Sequence, residues 1–369
     1  MSSTTRLIFA AVTALTLGLV PGVSPHGPFI VPAAAATAGS APCTQVVDNE
    51  AGVSVSNVGN DCVIEFTAVG SNGWTIPQGV NKISAVIVGG GGGGGAHTGA
   101  GGGAGAVRAY GDVFADAELP ATPTTSVIAG ARYGIDVGAG GSGAKFVGTS
   151  IFTPGSNGTG SALGGISAYG GGVGGSWPES TTQRANAGAS NIGSGGGATN
   201  YPSDPGPADT PGSGNSTSFT DTGGRGYAGG QGSTTAGQPH ASGGGGGAGG
   251  PGGAGLGSVS GDGGSGVEVT ITGTNRWLGG GGGGGIHGTG VAGSDGTVGS
   301  GGQGGGGAGS GPNRVDWSGS NTGTTPVGQD GQANTGGGGG GAGISSTAGN
   351  SSQGGDGGSG VVIARYTLI

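Results

Sequence analysis

Charge is almost missing from this sequence: Asp, Glu, Lys and Arg make up 8% of 369 residues, for a formal net charge of −8. The 10 basic residues are scattered singly from Arg6 to Arg365, so no cationic patch is available for nucleic acid or anionic lipid. Glutamate occurs only at Glu50, Glu65, Glu118, Glu179 and Glu268, and no two of these form a recognisable acid–base pair. The chain has no G-x-S-x-G elbow and no G-x-x-x-x-G-K-[ST] phosphate loop. No second hydrophobic segment and no useful helical apolar period follow the first residues. Together these absences point away from an enzyme, with no catalytic residue and no cofactor expected.

What is abundant is glycine, 107 residues, with 18 prolines. Such a composition usually reads as low complexity or disorder. The charge signature of disorder is absent, however, and apolar residues still make up 31%. The N-terminus reads as a secretion signal. Arg6 is its basic residue, Leu7 to Val20 is apolar, and Ala36-Thr37-Ala38 fits a small-residue cleavage site. That apolar run is short of the roughly 20 residues a membrane span needs. The expected organisation is therefore a leader over 1–38, a β segment over 39–75, and a glycine-rich domain over 76–369 continuous with it. The product is expected to be extracellular, with no membrane span after cleavage. Cys43 and Cys62 are the two cysteines, and in an exported protein such a pair forms a disulfide. A loop of this size contributes about 3 kcal/mol in the chain-entropy model. No further soft ligands lie nearby, so no metal site is expected.

Residues 39–88 are the most conventional part. Val46-Val47, Val53 to Val55, Cys62 to Val69 and Lys82 to Val88 read as strands, with Trp74 to Pro77 a short extended piece. Beyond them, short β-type runs alternate with glycine tracts at 89–95, 243–247, 279–285 and 336–341. Residues 243–269 align without gaps on 337–363, and both copies end in G-D-G-G-S-G-V before a strand. A kept register of this kind predicts a folded repeat unit. Polyglycine can form an extended helix with three residues per turn, rising about 3.1 Å per residue and lacking internal hydrogen bonds. Its N–H and C=O groups must then bond laterally. Ordering a residue costs about 1–2 kcal/mol, while a net backbone hydrogen bond returns about 0.5–1.5 kcal/mol. Isolated tracts should therefore be disordered, and tracts pinned by strands at both ends become plausible. The expected fold is all-β: short antiparallel strands in a sandwich-like arrangement with a bundle of extended polyglycine helices. The first strands and Val361 to Leu368 are expected to share a sheet. A largely disordered, linker-like chain is the alternative.

W-T-I-P at 74–77 followed by K-I-S-A-V-I-V-G-G-G-G-G-G-G at 82–95 resembles the opening of bacterial glycine-rich domains. G-I-D-V-G-A-G-G at 134–141, N-T-G-G-G-G-G-G at 334–341 and G-G-S-G-V-V-I-A-R-Y at 357–366 are similar to that family's later signatures. Similar domains occur in secreted actinobacterial proteins and phage tail-fibre adhesins. The resemblance implies a scaffold whose loops bind a surface, and an adhesive or structural role. The export signal and the lack of an obvious tail-attachment segment set this chain apart from the phage case.

Few residues suggest chemistry. His97 and His287 each follow a seven-glycine tract by two residues, and two imidazoles without an acidic or thiolate partner make a poor metal site. They are expected to be exposed tract-end residues, with His240 not completing the set. Asp262 and Asp356 sit in the repeated turn, where Asp is expected as a turn former rather than a calcium ligand. The insertions 176–222 and 312–335 are more promising. Trp177, Tyr201, Arg314 and Trp317 on exposed loops suit a surface glycan, a cell-wall polymer or another surface protein. Trp74 and Trp277 are expected in the core.

Overall fold

The computed structural model describes residues 29–31, 43–116, 119, 122–148, 151–177, 192–199, 210–234, 239–288, 296–312, 325–344 and 351–368. Among them the chain forms strands and no helix, so the fold is all-β. One sheet runs β1 (Phe29–Val31), β2 (Gln45–Val47), β5 (Gly70–Thr75), β9 (Arg132–Val137), β12 (Ser161–Leu163), β13 (Ile166–Ala168). The other runs β3 (Val53–Val58), β4 (Asp61–Phe66), β19 (Val361–Thr367), β6 (Lys82–Val88), β7 (Val107–Tyr110), with β8 (Thr125–Ser126) on the start of β6. All pairings are antiparallel. The last strand is thus central, between β4 and β6. Backbone strand β1 falls inside the segment expected to be the leader.

Alternation explains the sandwich. Ile83, Ala85 and Ile87 of β6 and Val362, Ala364 and Tyr366 of β19 pack with Trp74, Ile135 and Leu163 of the first sheet. Their intervening neighbours, Val86, Val88, Val361 and Ile363, pack the opposite way against Phe219 and the hairpin β15 (Val267–Val269)–β16 (Arg276–Leu278). Strands buried on both faces require unbroken apolar runs. That is why A-V-I-V at 85–88 and V-V-I-A at 361–364 are unbroken apolar runs, with the polar Ser84 and Arg365 beside them. Trp74 is fully buried, and its Nε1 donates to Gln45 Oε1 at 2.7 Å. The Gln45 amide in turn donates to the Tyr366 hydroxyl. The Cys43–Cys62 disulfide, with Cα atoms 5.6 Å apart, ties the approach to β2 onto β4. A turn separates β8 from β9, where Gly130 sits at φ +75.

The glycine region has a different core. In the tract 89–95, Gly89, Gly92 and Gly95 donate to Ala106, Gly103 and Ala100. Gly90 and Gly93 donate to Thr159 and Ser156, and Gly91 and Gly94 to Gly358 and Gly355. Every third residue therefore addresses the same neighbour, and three neighbours are served in rotation. The return segment 99–106 shows the complete pattern. Its N–H groups donate to 336–342, 169–175 and 243–246, and its carbonyls accept from 89–95, 279–285 and 194–197. Six segments surround it, and all of 89–105 is buried. Side chains have no room there: a Cβ on Gly91 would lie 2.0 Å from the Gly337 oxygen, and one on Gly102 2.3 Å from the Gly92 oxygen.

These contacts also fix direction. Segments 89–95, 279–285 and 336–342 run away from the sandwich; 99–106 and 243–247 run back towards it. The two aligned tracts of the sequence repeat therefore point in opposite directions, which corrects the expectation of one repeated structural unit. What the repeat preserves is the return into a strand. Asp262 Oδ1 accepts from Ser300 N at 2.7 Å and Asp356 Oδ1 from Gly143 N at 2.8 Å. Each carboxylate pins its segment to a neighbouring one, rather than simply shaping its own turn.

Candidate functional site at the distal end

The end of the bundle far from the sandwich holds His97, His240 and His287 with Phe146 and Trp177. A three-stranded sheet of β11 (Ile151–Thr153), β10 (Lys145–Val147) and β18 (Ser352–Gln353) lies there. So does the two-stranded pair β14 (His240–Ala241) and β17 (Ile286–His287), in which His240 and His287 are opposite each other. The turn Ala96–Thr98 reverses the chain, with His97 held at φ 71, a conformation uncommon outside glycine. Hydroxyls satisfy backbone groups left at the tract ends. Ala96 N donates to Ser176 Oγ at 3.0 Å, His97 N to Ser352 Oγ at 2.7 Å, and Ser242 Oγ to the Thr98 oxygen at 2.8 Å.

The chain leaves the described structure from this same end at Trp177, Thr199, Thr234, Gly288, Pro312 and Ile344. Trp177 packs on His97, and Thr98 and Thr199 share a 3.4 Å hydroxyl contact. Ser233 N donates to the Ala241 oxygen, Gly288 N to Ile344, and Ile286 N to Ser310. The segments carrying Tyr201, Arg314 and Trp317 thus begin at the distal end, although those three residues lie outside the described set.

A family model for a glycine-rich domain matches residues 67–367. The chain belongs to the glycine-rich domain family. The match begins after Phe66, so β2, β3 and β4, which complete both sheets, precede it. No curated protein matches the chain.

Within this glycine-rich domain the histidines depart most from expectation. His97, His240 and His287 are 5%, 8% and 5% exposed, so they are buried rather than displayed. The rings of His97 and His287 are 5.2 Å apart and those of His240 and His287 5.5 Å apart, so His240 does complete the set. The His97 ring also packs at a tilt against Trp177, 4.3 Å between centroids, and meets Phe146 edge-on at 4.9 Å. Its Nδ1 has no hydrogen-bond partner among the described residues. Burial, reinforced by the other two imidazoles, lowers the His97 pKa to about 3; burial and His240 lower that of His287 to about 4. Burial also lowers His240. All three rings are neutral at pH 7.

Of the predicted binding residues, Trp177 is half-buried in this aromatic cluster. Trp74 is core as expected, and Trp277 is partly buried on β16. The positions of the histidines beside the tracts signal a cluster only once the tract directions are known. A residue after an outbound tract and one before an inbound tract come to the same end, which holds for His97, His287 and His240.

Proposed function

We propose that this protein is an exported, non-enzymatic scaffold whose glycine bundle holds a group of loops together for contact with a surface ligand. The observation that carries the reading is the polarity of the molecule. The sandwich holds the strands nearest both chain ends, and the departures at Trp177, Thr199, Thr234, Gly288, Pro312 and Ile344 lie at the opposite end. The three-residue hydrogen-bonding rotation supports reading the tracts as polyglycine II helices, which would make the spacer between the two ends a rigid lattice rather than a linker. At about 3.1 Å per residue a seven-residue tract sets the ends roughly 22 Å apart. A glycan, a cell-wall polymer or another surface protein fits loops bearing Tyr201, Arg314 and Trp317, because aromatic faces and planar guanidinium groups bind sugar rings and acidic groups. No helix among the described residues is long and apolar enough to cross a membrane.

Glycan-array and cell-wall pull-down assays on the secreted chain test this reading. Binding should fall about tenfold or more in Arg314→Ala and Trp317→Ala, the loss expected for a contact-centre residue, while thermal stability stays unchanged. Binding that survives both substitutions, or that maps to the sandwich, contradicts a distal site.

A further inference from the structure

The sequence has two Asn-Gly pairs, Asn72-Gly73 on β5 of the sandwich and Asn157-Gly158 in the glycine bundle. An asparagine before glycine is chemically exposed, because a residue without a Cβ lets its nitrogen approach the preceding side chain. What each glycine N–H is bonded to therefore matters. In an antiparallel ladder successive residues bond to opposite sides. Ile76 N donates to the Ala131 oxygen at 3.0 Å, so by alternation Trp74 and Asn72 address β9 and Gly73 addresses the β2 side. Asp48 N accordingly donates to the Gly73 oxygen at 3.0 Å. But β2 ends at Val47, and the Gly73 N–H turns to its own neighbour, Asn72 Oδ1, at 2.8 Å.

The Asn72 amide is held in this pose from both ends. Its Oδ1 also accepts from Asn49 N at 3.1 Å, and its Nδ2 donates to the Asn49 oxygen at 2.7 Å. The side-chain oxygen takes two N–H groups and the nitrogen gives to a carbonyl, so the side chain is fixed in one orientation. Asn72 is half-buried and its contacts with Asn49 lie at the surface, within reach of water.

We propose that Asn72 is a site of spontaneous deamidation, with the Gly73 nitrogen as nucleophile, and that the glycine bundle suppresses the same reaction at Asn157. The Gly73 N–H gives its proton to solvent hydroxide, and the nitrogen forms a bond to Asn72 Cγ. The Cγ–Nδ2 bond then breaks, and Nδ2 takes up a proton and leaves as ammonia. The negative charge that develops in between sits on Oδ1, which the Asn49 N–H already faces. Water opens the resulting cyclic imide at either carbonyl, giving aspartate or isoaspartate, with no change of oxidation state.

The bundle withholds these conditions. Gly158 N donates to the Gly171 oxygen at 2.9 Å, and Asn157 Oδ1 accepts from Val173 N at 2.8 Å. Nucleophile and carbonyl are each bound to segment 171–173 rather than to one another, and must leave the lattice before they can meet. The Asp-Gly pairs that begin at Asp262, Asp330 and Asp356, which could close the same imide by losing water, are locked likewise. Their glycine N–H groups donate to Ser300, Asp356 and Gly141. Reaction at Asn72 also has a structural consequence. The product carboxylate faces the Asn49 oxygen that the amide now serves, and isoaspartate lengthens the backbone of β5 just ahead of the buried Trp74, where a slip in register turns side chains to the wrong face.

The test follows the intact chain at mildly alkaline pH over days, folded and in denaturant. Peptide mapping by mass spectrometry, with isoaspartate detected by enzymatic methylation, gives a rate for each asparagine. In the folded chain Asn72 should convert at least about tenfold faster than Asn157, with isoaspartate among its products. In denaturant, where strand and lattice are both gone, the two pairs should convert at similar rates. Asn157 converting as fast as Asn72 in the folded chain, or Asn72 staying an amide while the denatured chain converts, would overturn the proposal. A rate gap that persists in denaturant would assign the difference to local sequence rather than to the fold, and would overturn it as well.

Discussion

The sandwich and the glycine bundle solve the same problem with opposite materials. In the sandwich, side chains form the core: Trp74, Ile87, Ile135 and Val362 interlock, and backbone groups pair only within each sheet. In the bundle the backbone is the core. Each segment bonds its neighbours all round, and lateral approach is so close that a methyl group would collide with a carbonyl. Hydrophobic burial drives the first; lateral hydrogen bonds, each worth little net, must accumulate to hold the second. A backbone core therefore depends on being clamped by a side-chain core at its base. β6, β7, β15, β16 and β19 are that clamp, since each leads directly into or out of a glycine segment.

Substitutions separate the two kinds of core. Trp74→Ala removes the largest fully buried side chain among the described residues and leaves the Gln45 Oε1 without its donor, and should destabilise the fold by about 3–5 kcal/mol in chemical denaturation. Gly102→Ala adds one methyl group at the centre of the bundle and should cost about 2–3 kcal/mol, as overpacking does in a tight core. Asp356→Ala strips the acceptor from the buried Gly143 N–H and should cost about 1 kcal/mol. Gly134→Ala is the control. That glycine lies in β9 with open space where the Cβ would go, so the change should be neutral or stabilising by up to about 0.5 kcal/mol. Equal melting shifts for Gly102→Ala and Gly134→Ala would erase the distinction between the regions.

The same contrast explains what the sequence reveals. β6 and β19 are legible almost to the residue because apolar side chains record both faces of a buried strand. Cys43 and Cys62 are legible from their number and spacing. The short strands β10, β12, β13, β14, β17 and β18 are not, because two or three residues hold no period. The partners and directions of the tracts are hidden for a deeper reason. A segment without side chains carries no pattern saying which neighbour it meets, so the opposite directions of 243–247 and 336–341 cannot be read from their shared sequence. The histidine cluster was missed in consequence: placing His240 beside His287 requires knowing that its tract returns while the other departs. Tyr201, Arg314 and Trp317 remain readings from sequence, since they lie outside the described residues.

The most direct test of the account is the exchange rate of the amides of Gly89 to Gly105, measured by NMR at neutral pH on the intact chain. Lateral bonding of the whole segment predicts protection comparable to that of Val86 and Ile363 in the adjoining strands, with Gly91 and Gly102 as slow as any. Exchange of the tract at free-coil rates while β6 and β19 stay protected would contradict it, and the bundle could not then serve as a rigid spacer.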